Sequence, residues 1–192
     1  MRSGEGVAEA GANREEPAVT ELVVLIDEHG QRAGTMPKAD VHTSHTPLHL
    51  AFSVYVFDQL DRLLVTRRAL TKLTWPGVWT NSCCGHVQPD ETAVAAARRR
   101  LGEELGLVPT ALEAVLPDFA YRATSAEGLV ENELCPVFLA RVDGDPVTDP
   151  DEVAEWRWTT WAGFRTMAAD APWALSPWSV LQVAKLPVEL PR

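Results

Sequence analysis

The sequence contains little cysteine and no long apolar run. Its 192 residues include three cysteines, an odd number, and two of them, Cys83 and Cys84, are adjacent. This pattern does not indicate a disulfide framework, and it favours a reducing compartment. No stretch approaches the roughly 18 apolar residues that a membrane-spanning helix needs. We therefore predict a soluble, cytoplasmic protein that does not bind membranes.

Positive charge is also scarce. Lys and Arg number 17 against 27 Asp and Glu, a formal net charge of -10, which argues against a general nucleic-acid or membrane-surface binder. An anionic ligand must therefore be held by a local group of cations, and a divalent metal would help. Two such groups are visible, one at Arg67, Arg68 and Lys72 and the other at residues 98–100. The oligomeric state is left open, and a monomer is compatible with the composition.

The length fits one domain with a core of its own. Residues 1–20 mix Gly, Ala and Glu without an apolar stretch, and the acidic residues argue against a targeting signal. Such a composition is typical of a disordered tail. We predict a disordered tail over residues 1–20 and a single domain over residues 21–192.

Short apolar runs separated by turn residues predict several strands. "ELVVLIDEHGQRAGTM" predicts a hairpin, and "LHLAFSVYVFDQLDRLLVTRR" predicts two longer strands. "VENELCPVFLARV" predicts another strand and "EWRWTT" one more, whereas "WAGFRTMAAD" and "WSVLQVAKL" predict helices. Strands mixed with a few helices indicate an α/β or α+β domain.

The central segment "GVWTNSCCGHVQPDETAVAAARRRLGEELGL" predicts a strand, a loop from Gly85, and then a helix. Asp90 is the predicted N-cap of this helix, and Gly106 is its predicted end. Its predicted apolar stripe consists of four residues: Val94, Ala97, Leu101 and Leu105.

One spacing in this segment carries chemistry. Gly85 is followed after five residues by Glu91, and after seven more by "RRLGEELGL" at residues 99–107. The pattern resembles the Nudix box, a loop-helix-loop motif that binds a divalent metal and a diphosphate. The chain departs from the box at Arg100, where the box has a glutamate. Arg100 can bind phosphate bidentately while Glu104, one turn further on, holds Mg²⁺. The alternative is an exposed helix with an i,i+4 ion pair.

Three histidines and two glutamates form a second candidate group: His42, His49, His86, Glu131 and Glu133. The two glutamates lie in "ENE" and would share one face of a strand, where two carboxylates are costly unless a cation meets them. Imidazole and carboxylate ligands suit Mn²⁺, Fe²⁺ or Zn²⁺ alike. The remaining histidines, His29 and His45, are interpreted as ordinary residues of the surface or the core.

From about residue 22 to residue 178, the chain resembles the type I isopentenyl diphosphate isomerases, a branch of the Nudix superfamily. The stretches that carry the resemblance are "HTPLHLAFS", "LLVTRRA", "WPGVWTNSCCGH", "DFAYRA", "ENELCPVF" and "SPW", in this order. The resemblance implies a Nudix-type mixed sheet between helices. It also implies the conversion of isopentenyl diphosphate to dimethylallyl diphosphate through a carbocation, a step of isoprenoid precursor biosynthesis.

The resemblance also implies a role for individual residues. Cys84 and Glu133 would face each other across the alkene, Tyr121 would hydrogen-bond the catalytic glutamate, and Trp178 would lie over the isoprenoid tail. The five histidines and glutamates would hold one tightly bound divalent metal, which can be Mn²⁺, Zn²⁺, Fe²⁺ or Mg²⁺. Glu104 and the main-chain carbonyl of Cys84 would hold a second Mg²⁺ that arrives with the substrate. The diphosphate would be bound by four cations: Lys38, Arg68, Lys72 and Arg100.

Two other functions remain as alternatives. One is a Nudix hydrolase of a nucleoside diphosphate derivative that uses metal-activated water, and the other is a module that binds diphosphates without turnover. Arg100 argues against the hydrolase because it removes a carboxylate from the metal-binding box. Neither alternative uses the thiol of Cys84.

The two adjacent cysteines should play different parts. In an extended segment, side chains alternate between faces, so Cys84 and His86 should project together while Cys83 points towards the core. We therefore assign chemistry to Cys84 and interpret Cys83 as a small buried hydrophobic residue.

Overall fold

The computed structural model describes residues 21–190. The tail predicted at residues 1–20 lies outside the described residues. No helix in the described range is both long and apolar enough to cross a membrane. The strands are β1 Leu22–Ile26, β2 Arg32–Pro37, β3 His49–Phe57, β4 Arg62–Arg68, β5 Trp79–Thr80, β6 Cys83–His86, β7 Ala111–Leu116, β8 Ala120–Thr124, β9 Val130–Leu134, β10 Val137–Arg141 and β11 Val153–Thr160. The α-helices are α1 Lys38–Val41, α2 Ala93–Leu105, α3 Trp161–Asp170 and α4 Pro177–Val183.

Strand β3 organises the sheet. Its sequence "HLAFSVYVF" is apolar on both faces, and eight of its nine residues are buried, as expected for a strand covered on both sides. At different points along its length it pairs in parallel with β9 and β10, and antiparallel with β1, β4 and β6. The result is a mixed sheet, as predicted.

Helices cover both faces of this sheet. Alternate residues of β3 point to opposite sides, so Tyr55 and Phe57 pack in one core with Phe164 of α3 and Trp178 of α4. Phe52, Val54 and Val56 pack in a second core with three residues of α2: Ala97, Leu101 and Leu105. The predicted α+β arrangement of a sheet between helices is confirmed.

The predicted start of the central helix is wrong. Helix α2 begins at Ala93, and its N-cap is Thr92, whose hydroxyl accepts a hydrogen bond from the Ala95 N–H at 3.2 Å. Asp90 precedes the cap. The predicted end is confirmed, since Gly106 adopts the left-handed conformation with φ 63° and its N–H donates to the Gly102 carbonyl.

The predicted apolar stripe of α2 needs one correction. Ala97, Leu101 and Leu105 are fully buried, but Val94 is 43% exposed. Ala96 is buried instead, because the helical repeat places it on the same face as Ala97, Leu101 and Leu105, which packs on the sheet.

Two strand predictions also change. "VENELCPVFLARV" forms two strands rather than one, because Pro136 has no N–H for a ladder and separates β9 from β10. The loop predicted from Gly85 is wrong, since β6 continues through Gly85 to His86 and pairs with Ala51 and Phe52 of β3.

Candidate active site and metal centre

A cavity of about 540 Å³ opens beside β3 and gathers the predicted site residues. Its wall includes residues of strands β3, β4, β5, β6, β8, β9 and β11, of helices α1, α2 and α4, and of the loop that follows β4. His49 is fully buried behind the wall. The other predicted residues line the cavity: Lys38, His42, Arg68, Lys72, Cys84, His86, Arg100, Glu104, Tyr121, Glu131, Glu133 and Trp178.

Three histidines and two glutamates converge at one point of this wall. One ligand atom from each of them lies within 4.8 Å of all the others: His42, His49, His86, Glu131 and Glu133. Strand pairing explains the convergence, because His49 is opposite Glu133 and Ala51 is opposite His86. His42 comes from the turn after α1, and its Nε2 lies 2.9 Å from Glu131 Oε2.

The donors at this centre fit a divalent metal. His49 Nδ1 lies 2.9 Å from the Pro47 carbonyl, a contact that orients its Nε2 towards the cluster. The Thr74 hydroxyl donates to Glu131 at 2.7 Å and fixes that carboxylate. His86 Nδ1 is buried, and no described residue provides a hydrogen-bond partner for it. Buried carboxylates and imidazoles in such a cluster are costly without a cation, and nitrogen and oxygen donors together suit Mn²⁺, Fe²⁺ or Zn²⁺.

The electrostatics of the centre favour an ionised glutamate. Burial opposes the charge of Glu133, but hydrogen bonds and charge from His49 and His86 hold its pKa well below the ordinary value. Glu133 Oε1 lies 3.4 Å from His86 Nε2 and 3.6 Å from His49 Nε2. The carboxylate is therefore both fixed in position and negatively charged at neutral pH.

The two adjacent cysteines face opposite cores. Both border the cavity, but Cys83 belongs to the core beneath α2, whereas Cys84 packs with the core of α3 and α4. The thiol of Cys84 donates to Asn81 Oδ1 at 3.2 Å and lies 3.4 Å from Ser53 Oγ. Burial raises the pKa of Cys84 to about 12, so the thiol is protonated at neutral pH.

Among residues 21–190, four Lys and Arg side chains line the cavity, and three of them contact carboxylates. Lys38 Nζ lies 2.8 Å from Glu21, Arg100 Nε donates to Glu104 at 2.8 Å, and Lys72 contacts Glu152. Arg68 instead donates to the Thr74 carbonyl at 2.8 Å, and its guanidinium lies 5.3 Å from the ring centre of Trp178. The other members of the two basic groups bind elsewhere: Arg67 to Glu155, Arg98 to the Pro109 carbonyl and Arg99 to Glu91.

The i,i+4 pair of the box helix is formed, but the pair is not exposed. The side chains of Arg100 and Glu104 are only 13% and 8% exposed. Burial disfavours the guanidinium charge, yet Glu104 and Glu152 raise the pKa of Arg100. Gly85 makes the close approach possible, because a Cβ there would stand 3.1 Å from Phe52 Cζ and 3.3 Å from Arg100 Cγ.

Aromatic side chains complete the cavity. The indole N–H of Trp178 lies 3.0 Å from Thr80 Oγ1 and 3.1 Å from Asn81 Oδ1, which fixes the ring. Tyr121 lies 6.1 Å from Trp178, ring centre to ring centre. Tyr121 is the cross-strand partner of Glu133, but no hydrogen bond joins its hydroxyl to that carboxylate within residues 21–190.

Sequence reasoning missed several residues of this site. Asn81 contacts both Cys84 and Trp178, and its position in "TNSCCGH" could have suggested a role. Trp75 packs edge-on against Trp178 at 5.6 Å and adopts a φ of 45°, which is unusual for a bulky residue. Ser53 and Glu152 had no sequence signal, because one lies in an apolar strand and the other in an acidic turn.

Comparison with known proteins shows the family. A family model described as NUDIX domain matches residues 47–179. The chain is 61% identical over 165 residues to an isopentenyl-diphosphate Delta-isomerase of Frankia alni, which covers 86% of this chain and 85% of that protein. It is 57% identical over 171 residues to an isopentenyl-diphosphate Delta-isomerase of Clavibacter sepedonicus, and the match covers 88% of this chain and 90% of that protein.

Solved structures show the same fold at low sequence identity. A Deinococcus radiodurans protein superposes with a TM-score of 0.66 at 22% identity, covering 86% of this chain and 98% of that one. A MutT protein of Methanosarcina mazei superposes with a TM-score of 0.57 at 20% identity, covering 72% of this chain and 92% of that one. At this identity the likeness concerns the fold alone.

Proposed function

Since the chain belongs to the isopentenyl-diphosphate Delta-isomerase family of NUDIX-domain proteins, we infer that it converts isopentenyl diphosphate into dimethylallyl diphosphate. The observation that carries this inference is the cavity in which Cys84, Glu133, four cations and two aromatic rings meet. The hydrolase alternative is not favoured, because these relatives are named isomerases and hydrolysis assigns no task to Cys84. The substrate is a small-molecule diphosphate.

The reaction moves a double bond without net gain or loss of protons. One C–H bond forms at the terminal alkene carbon, which leaves a tertiary carbocation, and one C–H bond then breaks on the other side of the cation. An acid and a base on opposite sides of the substrate are therefore needed. Cys84 and Glu133 share the two proton transfers, and support comes from their approach to the same cavity from β6 and β9.

The carbocation must be kept from water. The buried aromatic wall of Trp178 and Tyr121 excludes solvent, and an aromatic face stabilises a desolvated cation by roughly 2 kcal/mol. Asn81 holds both the indole and the thiol by hydrogen bonds, so it orients the two groups relative to each other. Water exclusion also strengthens the charge interactions within the cavity.

The diphosphate is bound by Lys38, Arg68, Lys72 and Arg100. Arginine can donate two parallel hydrogen bonds to a phosphate, and lysine provides a compact positive charge. Glu104 and the main-chain carbonyl of Cys84 are the groups that would hold a Mg²⁺ ion brought by the substrate. The five histidine and glutamate ligands would hold a second divalent ion, Mn²⁺, Zn²⁺, Fe²⁺ or Mg²⁺, which when bound would supply positive charge beside Glu133.

A single incubation tests this function. Purified protein is mixed with Mg²⁺ and isopentenyl diphosphate, and both the alkene product and free phosphate are measured. An isomerase forms dimethylallyl diphosphate, whereas a hydrolase releases phosphate and a simple binding module does neither. The same incubation in D₂O should place solvent deuterium in the product. Product without deuterium would rule out proton exchange by the groups named here.

A further inference from the structure

The proposed chemistry leaves two of the described cavity carboxylates, Glu21 and Glu152, without a task, and Glu152 is the one that contacts two cations. It lies directly before β11 and lines the cavity. Its Oε1 is 3.1 Å from the guanidinium of Arg100, and its Oε2 contacts the ammonium of Lys72. Its side chain is only 18% exposed. A single carboxylate thus holds two of the four cations assigned to the diphosphate.

Main-chain hydrogen bonds fix Glu152 between these two cations. Its carbonyl accepts from the Ala69 N–H at 3.0 Å, which ties it to the end of β4 and so to the loop that carries Lys72. Its own N–H donates to the Asp149 carbonyl, and the Asp149 N–H donates to the Glu104 carbonyl at 2.9 Å. The turn before β11 is therefore anchored to the last turn of α2. The carboxylate is positioned by the fold and is not a mobile surface group.

The charge of Glu152 persists in this setting. Burial opposes ionisation, but hydrogen bonds and charge from Lys72 and Arg100 lower the pKa of Glu152 below its ordinary value. Among the described residues that line the cavity, the four cations face three carboxylates outside the metal centre, Glu21, Glu104 and Glu152. The diphosphate region offers little net positive charge, although a diphosphate carries several negative charges.

We propose that Glu152 makes this cavity select the Mg²⁺ complex of an alkyl diphosphate over the metal-free diphosphate. A metal-free diphosphate is repelled by Glu152 and competes with it for Lys72 and Arg100. A diphosphate that carries Mg²⁺ brings positive charge into the same region, so the carboxylate then attracts the ligand. The attraction acts on the Mg²⁺ ion itself, because the complex as a whole stays anionic, and partial burial strengthens both the repulsion and the attraction. This inference rests on the proposed function only in taking an alkyl diphosphate as the ligand.

The test measures binding rather than turnover. The probe is 3-methylbutyl diphosphate, a saturated analogue that cannot be isomerised, and its Kd is measured by calorimetry with and without Mg²⁺. Free divalent ions are removed by gel filtration and not by a chelator, so that any tightly held ion stays the same in both arms. The quantity of interest is the ratio of the Kd without Mg²⁺ to the Kd with Mg²⁺.

Glu152→Gln should bind the metal-free probe about tenfold more tightly than wild type, which corresponds to about 1.4 kcal/mol. With Mg²⁺ it should bind no better than wild type, so the ratio falls at least tenfold. Glu152→Asp keeps the charge and should keep most of the ratio. Glu155→Gln is the matched control, because Glu155 also pairs with an arginine, Arg67, but neither residue lines the cavity.

Two results would overturn the proposal. If Glu152→Gln weakens binding equally in both arms, the carboxylate only supports the positions of Lys72 and Arg100. If the ratio does not change, Glu152 plays no part in selection. Should Glu152→Gln fail to fold, Glu152→Ala provides a second neutral variant and must give the same loss of selectivity. Isomerisation by the wild type is assayed separately, so a failure of the proposed function is distinguishable from a failure of this inference.

Discussion

Replacing the two adjacent cysteines one at a time separates catalysis from packing. Cys84→Ala removes a thiol that donates to Asn81 Oδ1 and lies beside Ser53 Oγ. After truncation, Asn81 Oδ1 still accepts from Trp178 Nε1 at 3.1 Å, and Ser53 Oγ still accepts from Gln182 Nε2 at 2.8 Å. These two neighbours keep other partners, so the free energy of unfolding should fall by only about 1 kcal/mol. The loss comes from removing a buried sulfur atom and one weak hydrogen bond.

The activity of the same variant should fall far more than its stability. A positioned acid or base contributes up to about 10⁴-fold to a rate, which is about 5.5 kcal/mol in the barrier. We therefore expect Cys84→Ala to lose about four orders of magnitude in kcat while Tm falls by roughly 2–4 °C. Cys83→Ala removes a side chain that is 2% exposed in the core beneath α2. It should cost about 1 kcal/mol as well, yet keep most of the turnover.

The assay follows the alkene protons of substrate and product by NMR, and thermal melting of each variant is the control for folding. Equal melting temperatures with very different rates would support the assignment of chemistry to Cys84. If Cys83→Ala were inactive and Cys84→Ala turned over normally, the assignment would be wrong. Two folded but inactive variants would show that Cys83 does more than fill the core.

Three further predictions concern Arg100, the metal centre and a turn outside the site. Arg100→Glu places a third carboxylate beside Glu104 and Glu152 and should raise KM about tenfold or more. The control variant Arg98→Glu, at an exposed position, should leave KM unchanged. An unchanged KM for Arg100→Glu would show that Arg100 does not bind the substrate. Purified protein should contain about one tightly bound divalent ion, as the donor set suggests. Elemental analysis should find less of this ion in His49→Ala, but not in the exposed His45→Ala. Active protein that contains no metal would contradict the assignment of the five residues as metal ligands. Burial opposes ionisation of Asp58, but the Arg62 N–H, the Arg62 guanidinium and the Leu60 N–H lower its pKa. A carboxyl group whose pKa is lower in the folded state stabilises the fold at pH values above its unfolded-state pKa. This stabilisation is lost as the pH falls through the folded-state pKa. Asp58→Asn should therefore lose about 1–2 kcal/mol at neutral pH and progressively less towards about pH 3, and a constant difference in Tm would refute this.

Local patterns predicted much of the fold. The β1–β2 hairpin and the strands β3, β4 and β11 lie where short apolar runs predicted them, and Gly106 caps the end of α2 as predicted. The start of α2 was wrong because Asp90, Glu91 and Thr92 all lie near the boundary, and either Asp90 or Thr92 could cap it. The structure shows Thr92 in that position, with its hydroxyl accepting from the Ala95 N–H.

By itself the sequence determined the chemical groups and their local geometry. Alternation in a strand places Glu131 and Glu133 on one face, and the helical repeat places Arg100 beside Glu104. The tertiary structure decided which distant groups meet. His49, His86 and Glu133 come together because β3 pairs with both β6 and β9. Glu152 reaches Lys72 and Arg100 because main-chain hydrogen bonds anchor its turn to two other elements. Contacts between residues so far apart along the chain depend on strand order and register, which no local pattern encodes.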